Sequence, residues 1–224
     1  MTQALKQQLP SGFESLCAAT AEEQHDLLTV PVIQQAMRGD ISINTYVAFL
    51  TQAYHHVKHT VPLLMLTGSK ISHQEEWLRT AIAEYIEEEI GHEQWILNDI
   101  EACGGDRHQV SQSEPAFATE LMVAYTYDSI NRIGPLTFFG LVHVLEGTSV
   151  ALATQVANTL KTTLNLPQKS FSYLFSHGDL DQGHQKFFED LINRLSTEQL
   201  STVIKACQRF YRLYANILRS LPTS

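Results

Sequence analysis

Two imidazoles and a carboxylate fall at helical spacing in the segment SHGDLDQGHQKFF, which begins at Ser176: His177, Asp181 and His184 stand four and then three positions apart. On a helix these positions share one face. The side that also carries Leu180 and Leu191 is expected to turn toward a core, where polar groups without partners are costly. A metal ion would satisfy all three residues at once. A solvated helix face with incidental histidines is the plainer alternative. Gly178 and Gly183 sit beside the triplet, however, and each costs about 1 kcal/mol against alanine in a helix interior, which suggests the close approach of another group.

A second cluster lies in EYIEEEIGHEQWILNDI, from Glu84. Glu89 precedes His92 by three residues and Glu88 precedes it by four, and either spacing can close on one metal. The Glu-x-x-His arrangement on bundle helices is the one used in di-iron and di-manganese carboxylate proteins. A solvent-facing acidic run explains Glu87 and one of Glu88 and Glu89, but not a Gly91-His92 step next to Trp95. A third contributor is Glu146, in the almost wholly apolar stretch FFGLVHVLEGTSVALA from Phe138, where a lone carboxylate would be expensive. His143, three residues earlier, either pairs with it or stands behind it, and Glu146 is read as a bridging or terminal ligand. Finally, AYHHVKHTVP places His55, His56 and His59 within five residues. His56 and His59 share a face, as do His55 and His59, and the three are either part of the metal site or a polar seam.

Carboxylate and imidazole together suit iron or manganese, while the lack of clustered thiolates argues against structural zinc. Carboxylate-rich helical cages can leave coordination positions open. An open ferrous site can bind dioxygen, and two adjacent Fe(II) ions can share the electron load of its cleavage beside an apolar substrate pocket. Trp95, Phe138, Phe139 and His143 are the candidates for lining that pocket. The expectation is an oxidative enzyme that uses dioxygen on a small molecule.

The elements that must position these residues read as helices throughout. Apolar residues recur three and four apart between discrete Gly and Pro breaks, and no segment alternates as a strand would. Helices are expected at Ala21 to Leu28, Val32 to Arg38 with Gly39 as the stop, and Ile43 to about Leu66, with Pro62 kinking it or splitting off its last turn and Gly68 ending it. A single helix of roughly 30 residues, about 45 Å at 1.5 Å per residue, follows from His73 or Glu75 to Cys103. After a polar linker from Asp106 to Glu114 come a helix to Ile133, one from Leu136 to about Leu164, one from Lys169 to Leu195, and one from Thr197 to Ser220 with Ser196 and Gln199 in a capping-box pattern. The prediction is one all-α domain over residues 1–224.

Composition limits the remaining function classes. With 44% hydrophobic and 17% charged residues, the chain can bury a sizeable core. A net charge of -9 with no basic stripe argues against a nucleic-acid partner. Apolar runs such as Val61 to Leu66 and Pro135 to Leu145 fall short of the roughly 20 residues of a membrane helix, and Met1 to Pro10 is polar where a signal peptide would be apolar. Cys17, Cys103 and Cys207 are far apart and odd in number, which suggests no disulfide framework and a reducing, cytoplasmic setting.

The spacing His177, Asp181, His184, with Glu146 and Glu89-x-x-His92 upstream, resembles the heme-oxygenase-like diiron oxidases and oxygenases, and the resemblance covers most of the chain. The stretch VPVIQQAMRGDISINTYVAFLTQAYHHVKHTVPLL from Val30 is similar to the start of the wider superfamily of heme oxygenase, thiaminase II and pyrroloquinoline-quinone synthase. The resemblance implies a seven-helix bundle, often a homodimer. It also implies ferrous iron and dioxygen acting on an amino-acid or fatty-acid derived metabolite. By position, one metal takes Glu89, His92 and a third-helix ligand, Glu146 bridges, and His177, Asp181 and His184 serve the second. The family usually places a Glu on the third helix, where this chain offers His56 or His59.

Two rivals follow from the same superfamily. A metal-free, thiaminase II-like hydrolase or small-molecule binder would use a Cys nucleophile in the central helix, but Pro135 to Glu146 contains no Cys. Heme degradation would lay a glycine-containing helix over heme, with Gly140 and Gly147 as candidates, and would leave the His177, Asp181, His184 triplet without work.

Overall fold

The most apolar segment of the chain becomes the axis of the fold. The structure, a computed structural model, describes residues 10–222, the side chains of residues 177–184 excepted. Around a 27-residue central helix, α10 (Thr137–Thr163), pack α3 (Pro31–Arg38), α5 (Thr60–Lys70), α9 (Phe117–Arg132), α11 (Ser172–Asn193) and α12 (Thr197–Arg219). By length and composition alone α10 could cross a membrane, but 56% of its apolar window is buried inside the fold, so its apolarity is what central packing requires. All regular elements among the described residues are helical, as the periodicity predicts, and the architecture is all-α.

Several helix boundaries follow from local chemistry. Gly39 stops α3 in the left-handed conformation at φ +78°, where a Cβ would run into the Thr163 side chain. Ser196 and Gln199 close the expected capping box on α12. A matching box, Ser11 with Glu14, starts α1 (Gly12–Ala19), an early helix beside α2 (Ala21–Leu28) that the periodicity does not single out.

Three expected elements differ. The helix from Ile43 ends at Val57 as α4, and α5 restarts at Thr60. Pro62, lacking an amide donor, is therefore in the first turn of a new helix, where that loss is harmless. Gly68 does not end α5, which runs on to Lys70. It is instead a contact point, since a Cβ there would come within 3.1 Å of Ile82. The long helix from His73 is two helices, α6 (Glu76–Glu89) and α7 (His92–Ala102), parted at Ile90 and Gly91. The polar linker after Gly105 folds as a short helix, α8 (Arg107–Gln112), because the Asp106 carboxylate accepts from the backbone N–H groups of His108 and Gln109. With the two splits and the added α1 and α8, the eight helices expected from periodicity become twelve α-helices among the described residues, within the bundle that the resemblance describes as seven-helix.

Long-range hydrogen bonds from two residues fix where α11 begins. Asp99 of α7, with 0% exposure, accepts from the backbone N–H groups of Ser172 at 3.0 Å and Tyr173 at 2.9 Å, and from the Ser172 hydroxyl. Tyr46 of α4 donates its phenol to the Ser170 carbonyl at 2.9 Å. The start of α11 is thus capped by a side chain from another helix. From that point α11 packs along α10 and α7.

Candidate metal centre and its cavity

Glu89 is the last residue of α6 and His92 the first of α7. Between them Gly91 adopts φ +92°, a left-handed conformation that side chains with a Cβ rarely take. The turn brings Glu89 Oε2 to 3.1 Å from His92 Nδ1, with the imidazole 3% and the carboxylate 12% exposed. The carboxylate therefore sits against the first turn of α7, where the helix dipole favours negative charge. The Trp95 indole stacks on the His92 ring, with centroids 4.0 Å apart and planes at 29°, and this fixes the imidazole plane.

Glu89 faces a cavity of about 180 Å³ that is also lined by Glu146 of α10 and His56 of α4. Most of its wall is aliphatic or aromatic, including Ile33, Phe49, Phe138, Leu152, Val156 and Leu218. Among the described residues no Lys or Arg lines it. Carboxylate with imidazole is a donor set that suits iron or manganese. Glu89, His92, Glu146 and His56 are the described residues able to supply it. They do not close a site by themselves: among the described residues no group of three or more His, Cys, Asp or Glu is gathered closely enough to hold a metal ion. The side chains of His177, Asp181 and His184 lie outside the described residues, but the helix that carries them packs against both α10, with Glu146, and α7, with His92.

The remaining expected site residues separate into distinct roles. Of the third-helix histidines, His56 lines the cavity with its ring edge-on to Tyr214, 6.1 Å between centroids. His55 lies 3.0 Å from the Ser113 hydroxyl and 3.2 Å from Lys58 Nζ. Burial first, then the Lys58 charge, pushes it down to about 4. His59 is 3.2 Å from the Tyr127 hydroxyl and is likewise lowered, by burial and then by Lys58. His56 is therefore on the cavity side of α4, and His55 and His59 form a polar seam on the other. Glu88 is exposed on the outer side of α6. Phe138 lines the cavity, whereas Phe139 is fully buried near Phe188. His143 packs among Phe13, Phe188 and Tyr211, and burial takes it down to about 4.

Sequence reasoning passes over Tyr85, Tyr173, Thr148 and Ser149, all of which line the cavity. Tyr85 was findable, because it precedes Glu89 by one helical turn on the same face. Asp99 was findable too, two turns after His92. Its carboxyl is raised by burial, against the lowering effect of the bonds from Ser172 and Tyr173.

Residues 47–215, well over half of the chain, match the sequence profile of a family described as an iron-containing redox enzyme. No curated protein matches the chain at a significant level. Among solved structures, a domain of unknown function with a heme oxygenase-like fold from Shewanella denitrificans is similar at 24% identity and TM-score 0.84, over 92% of this chain and 90% of that one. A TenA homologue from Pseudomonas syringae is similar at 14% identity and TM-score 0.77, over 93% and 91%. Heme oxygenase-1 from Synechocystis, in complex with heme, is similar at 10% identity and TM-score 0.74, over 93% and 91%. The fold is heme oxygenase-like.

Proposed function

The chain belongs to this family of iron-containing redox enzymes, and we propose that it is a non-heme iron oxidase or oxygenase that spends dioxygen on a small, largely apolar metabolite. The observation that carries this reading is the Glu89 and His92 contact at the wall of an apolar cavity that also receives Glu146 and His56. Glu89, His92 and Glu146 would hold the metal together with His177, Asp181 and His184, the residues spaced for it in the sequence of α11, enough donors for two ions. His56 takes the place of a third-helix carboxylate. Bound ferrous iron would supply the electrons for dioxygen chemistry. The protein's own work is to orient these donors, with Trp95 fixing the His92 plane, and to keep water from the reacting centre with the apolar wall.

Two observations favour this reading over the rivals. A heme would have to fit a cavity of about 180 Å³, little more than the roughly 150 Å³ that accepts one benzene ring. Of the two glycines available to pass over a heme face, Gly140 instead lies against α12, where a Cβ would meet the Cys207 amide nitrogen at 2.6 Å, which leaves Gly147 alone. A thiaminase-like hydrolase needs an activated thiolate, yet burial raises all three thiols, Cys103 to about 11, and none lines the cavity.

The test is anaerobic reconstitution of metal-free protein with ferrous iron, counting metal per chain, then admission of oxygen while its consumption is followed. About two irons per chain and oxygen uptake that His184→Ala abolishes are expected. No specific iron uptake would overturn the reading.

A further inference from the structure

The hydroxyl groups in the wall of the cavity differ in what they already bond. Tyr46 donates to the Ser170 carbonyl, Thr148 donates to the Val144 carbonyl, and Thr45 is paired with Ser42. Tyr85 and Tyr173 also interact within the protein. Thr60 and Ser149 are half-buried wall residues. Tyr214 of α12 is different. It lines the cavity beside His56, edge-on to that imidazole, and is 9% exposed. Among the described residues no group bonds its hydroxyl, and burial alone acts on its ionisation, raising it to about 12. At neutral pH it is therefore an uncharged phenol with an O–H to donate. A buried donor left without an acceptor costs about 1–3 kcal/mol, so whatever fills the cavity decides whether that cost is met. Water can serve the hydroxyl while the cavity holds solvent. A substrate that expels the water must bring an acceptor of its own or leave the phenol unpaired.

From this wall, and resting on the proposed oxidative reading for the chemistry that follows binding, we infer that Tyr214 holds the substrate by donating a hydrogen bond to one of its oxygen atoms, on the His56 side of the cavity. The substrate class is a molecule with an apolar body and an acceptor oxygen. A carbonyl, hydroxyl or carboxylate group presents that oxygen, and the aliphatic wall of Ile33, Leu152, Val156 and Leu218 takes the rest. Tyr214 is thus a specificity-determining residue. It discriminates against a hydrocarbon of the same shape, because the analogue without the oxygen leaves the phenol unpaired.

The experiment titrates cyclohexanone and methylenecyclohexane into full-length protein by calorimetry, first metal-free and then loaded anaerobically with ferrous iron. The two probes differ by an oxygen in place of a CH₂ group, and both suit a cavity of about 180 Å³, set against the roughly 150 Å³ that holds a benzene ring. Wild type is expected to bind the ketone roughly tenfold more tightly in both forms. That advantage should vanish in metal-free Tyr214→Phe and fall in the iron-loaded variant. The infrared carbonyl band of the bound ketone should lie at lower frequency in wild type than in Tyr214→Phe, a shift that a merely structural role would not produce. Since the lost hydroxyl has no described partner, the variant should melt no lower than wild type. Should it not fold, the carbonyl band of the ketone bound to wild type, compared with the same ketone in an apolar solvent, carries the test. Equal binding of the two probes by wild type would overturn the inference, as would an undiminished ketone advantage in Tyr214→Phe or a bound carbonyl band without a shift. A failure to take up iron sinks the oxidative reading but leaves the metal-free comparison standing, so the two failures are distinguishable.

Discussion

Glu89 and His92 belong to different helices, yet their side chains meet at 3.1 Å because one glycine between them takes a left-handed turn. An uninterrupted helix would also place these positions on one side, three residues apart. The break instead aims the first turn of α7 at the Glu89 carboxylate. The geometry of the pair is therefore set by the Gly91 backbone as well as by the two side chains.

Gly91→Ala tests that dependence. A Cβ at Gly91 meets nothing within 4 Å, so the substitution introduces no clash, only the cost of a left-handed alanine, about 1–2 kcal/mol. The variant is expected to fold, to melt a few degrees lower, and to bind ferrous iron roughly tenfold more weakly as the turn relaxes. Gly91→Asn, which tolerates this conformation better, should recover most of the affinity. Equal iron affinity in wild type and Gly91→Ala would show that the turn does not govern the pair.

Asp99 offers a test of how α11 is placed. Its carboxylate satisfies the first two amides of α11 from a fully buried position. Asp99→Ala strands those donors and should cost about 1–3 kcal/mol by urea denaturation. Asp99→Asn keeps one acceptor oxygen and should lose less. Hydrogen exchange at Ser172 and Tyr173 should speed up in both variants, and most in the alanine. Unchanged exchange there would remove Asp99 as the cap.

The helical class and the long helices α10 and α12 were legible in the sequence because their signals are local: apolar periodicity, a capping box, a proline or glycine at the end. The split at Gly91 was not, because a glycine in a helical pattern is compatible with both a continuous helix and a left-handed break. Only tertiary packing decides between them. Likewise α8 hides in a polar stretch, since its stability comes from the Asp106 cap and not from an apolar face. At the site, Glu89, His92 and Glu146 stood out because charge in an apolar or helical context is unusual. His56 could not be told from His55 and His59 by spacing. What separates them is which side of α4 each occupies, toward the cavity or toward Ser113 and Tyr127.

A pair of glycines on α10 gives opposite expectations. Gly140 lies so close to α12 that a Cβ would approach the Cys207 nitrogen at 2.6 Å and the Ala206 Cβ at 2.8 Å. Backbone cannot yield cheaply, so Gly140→Ala should destabilise by about 1–3 kcal/mol. No described residue lies within 4 Å of where a Gly147 Cβ would stand, and Gly147→Ala in a helix interior should stabilise by about 0.5–1 kcal/mol. Thermal melts of the two variants check both signs, and a stabilised Gly140→Ala would contradict the close approach of α10 and α12.

The pH dependence of stability should be set chiefly by His143 and His55, with His59 lowered in the same direction. Burial takes His143 from an ordinary 6.5 to about 4, and burial together with Lys58 does the same for His55. Between those values the unfolded chain binds protons that the folded chain refuses, so stability rises with pH across the window. The contribution is therefore full above pH 6.5 and lost as pH falls toward 4, at most about 3 kcal/mol for His143. Asp99, whose carboxyl is raised, works in the opposite sense nearer its own range, so the cleanest comparison lies between pH 7 and 5. Urea midpoints should fall over that interval in the wild type. His143→Phe keeps the ring contacts with Phe13, Phe188 and Tyr211 but removes the titrating group, and should flatten the slope by that group's share. A slope identical to wild type would mean that His143 is protonated no less readily in the fold than in the unfolded chain.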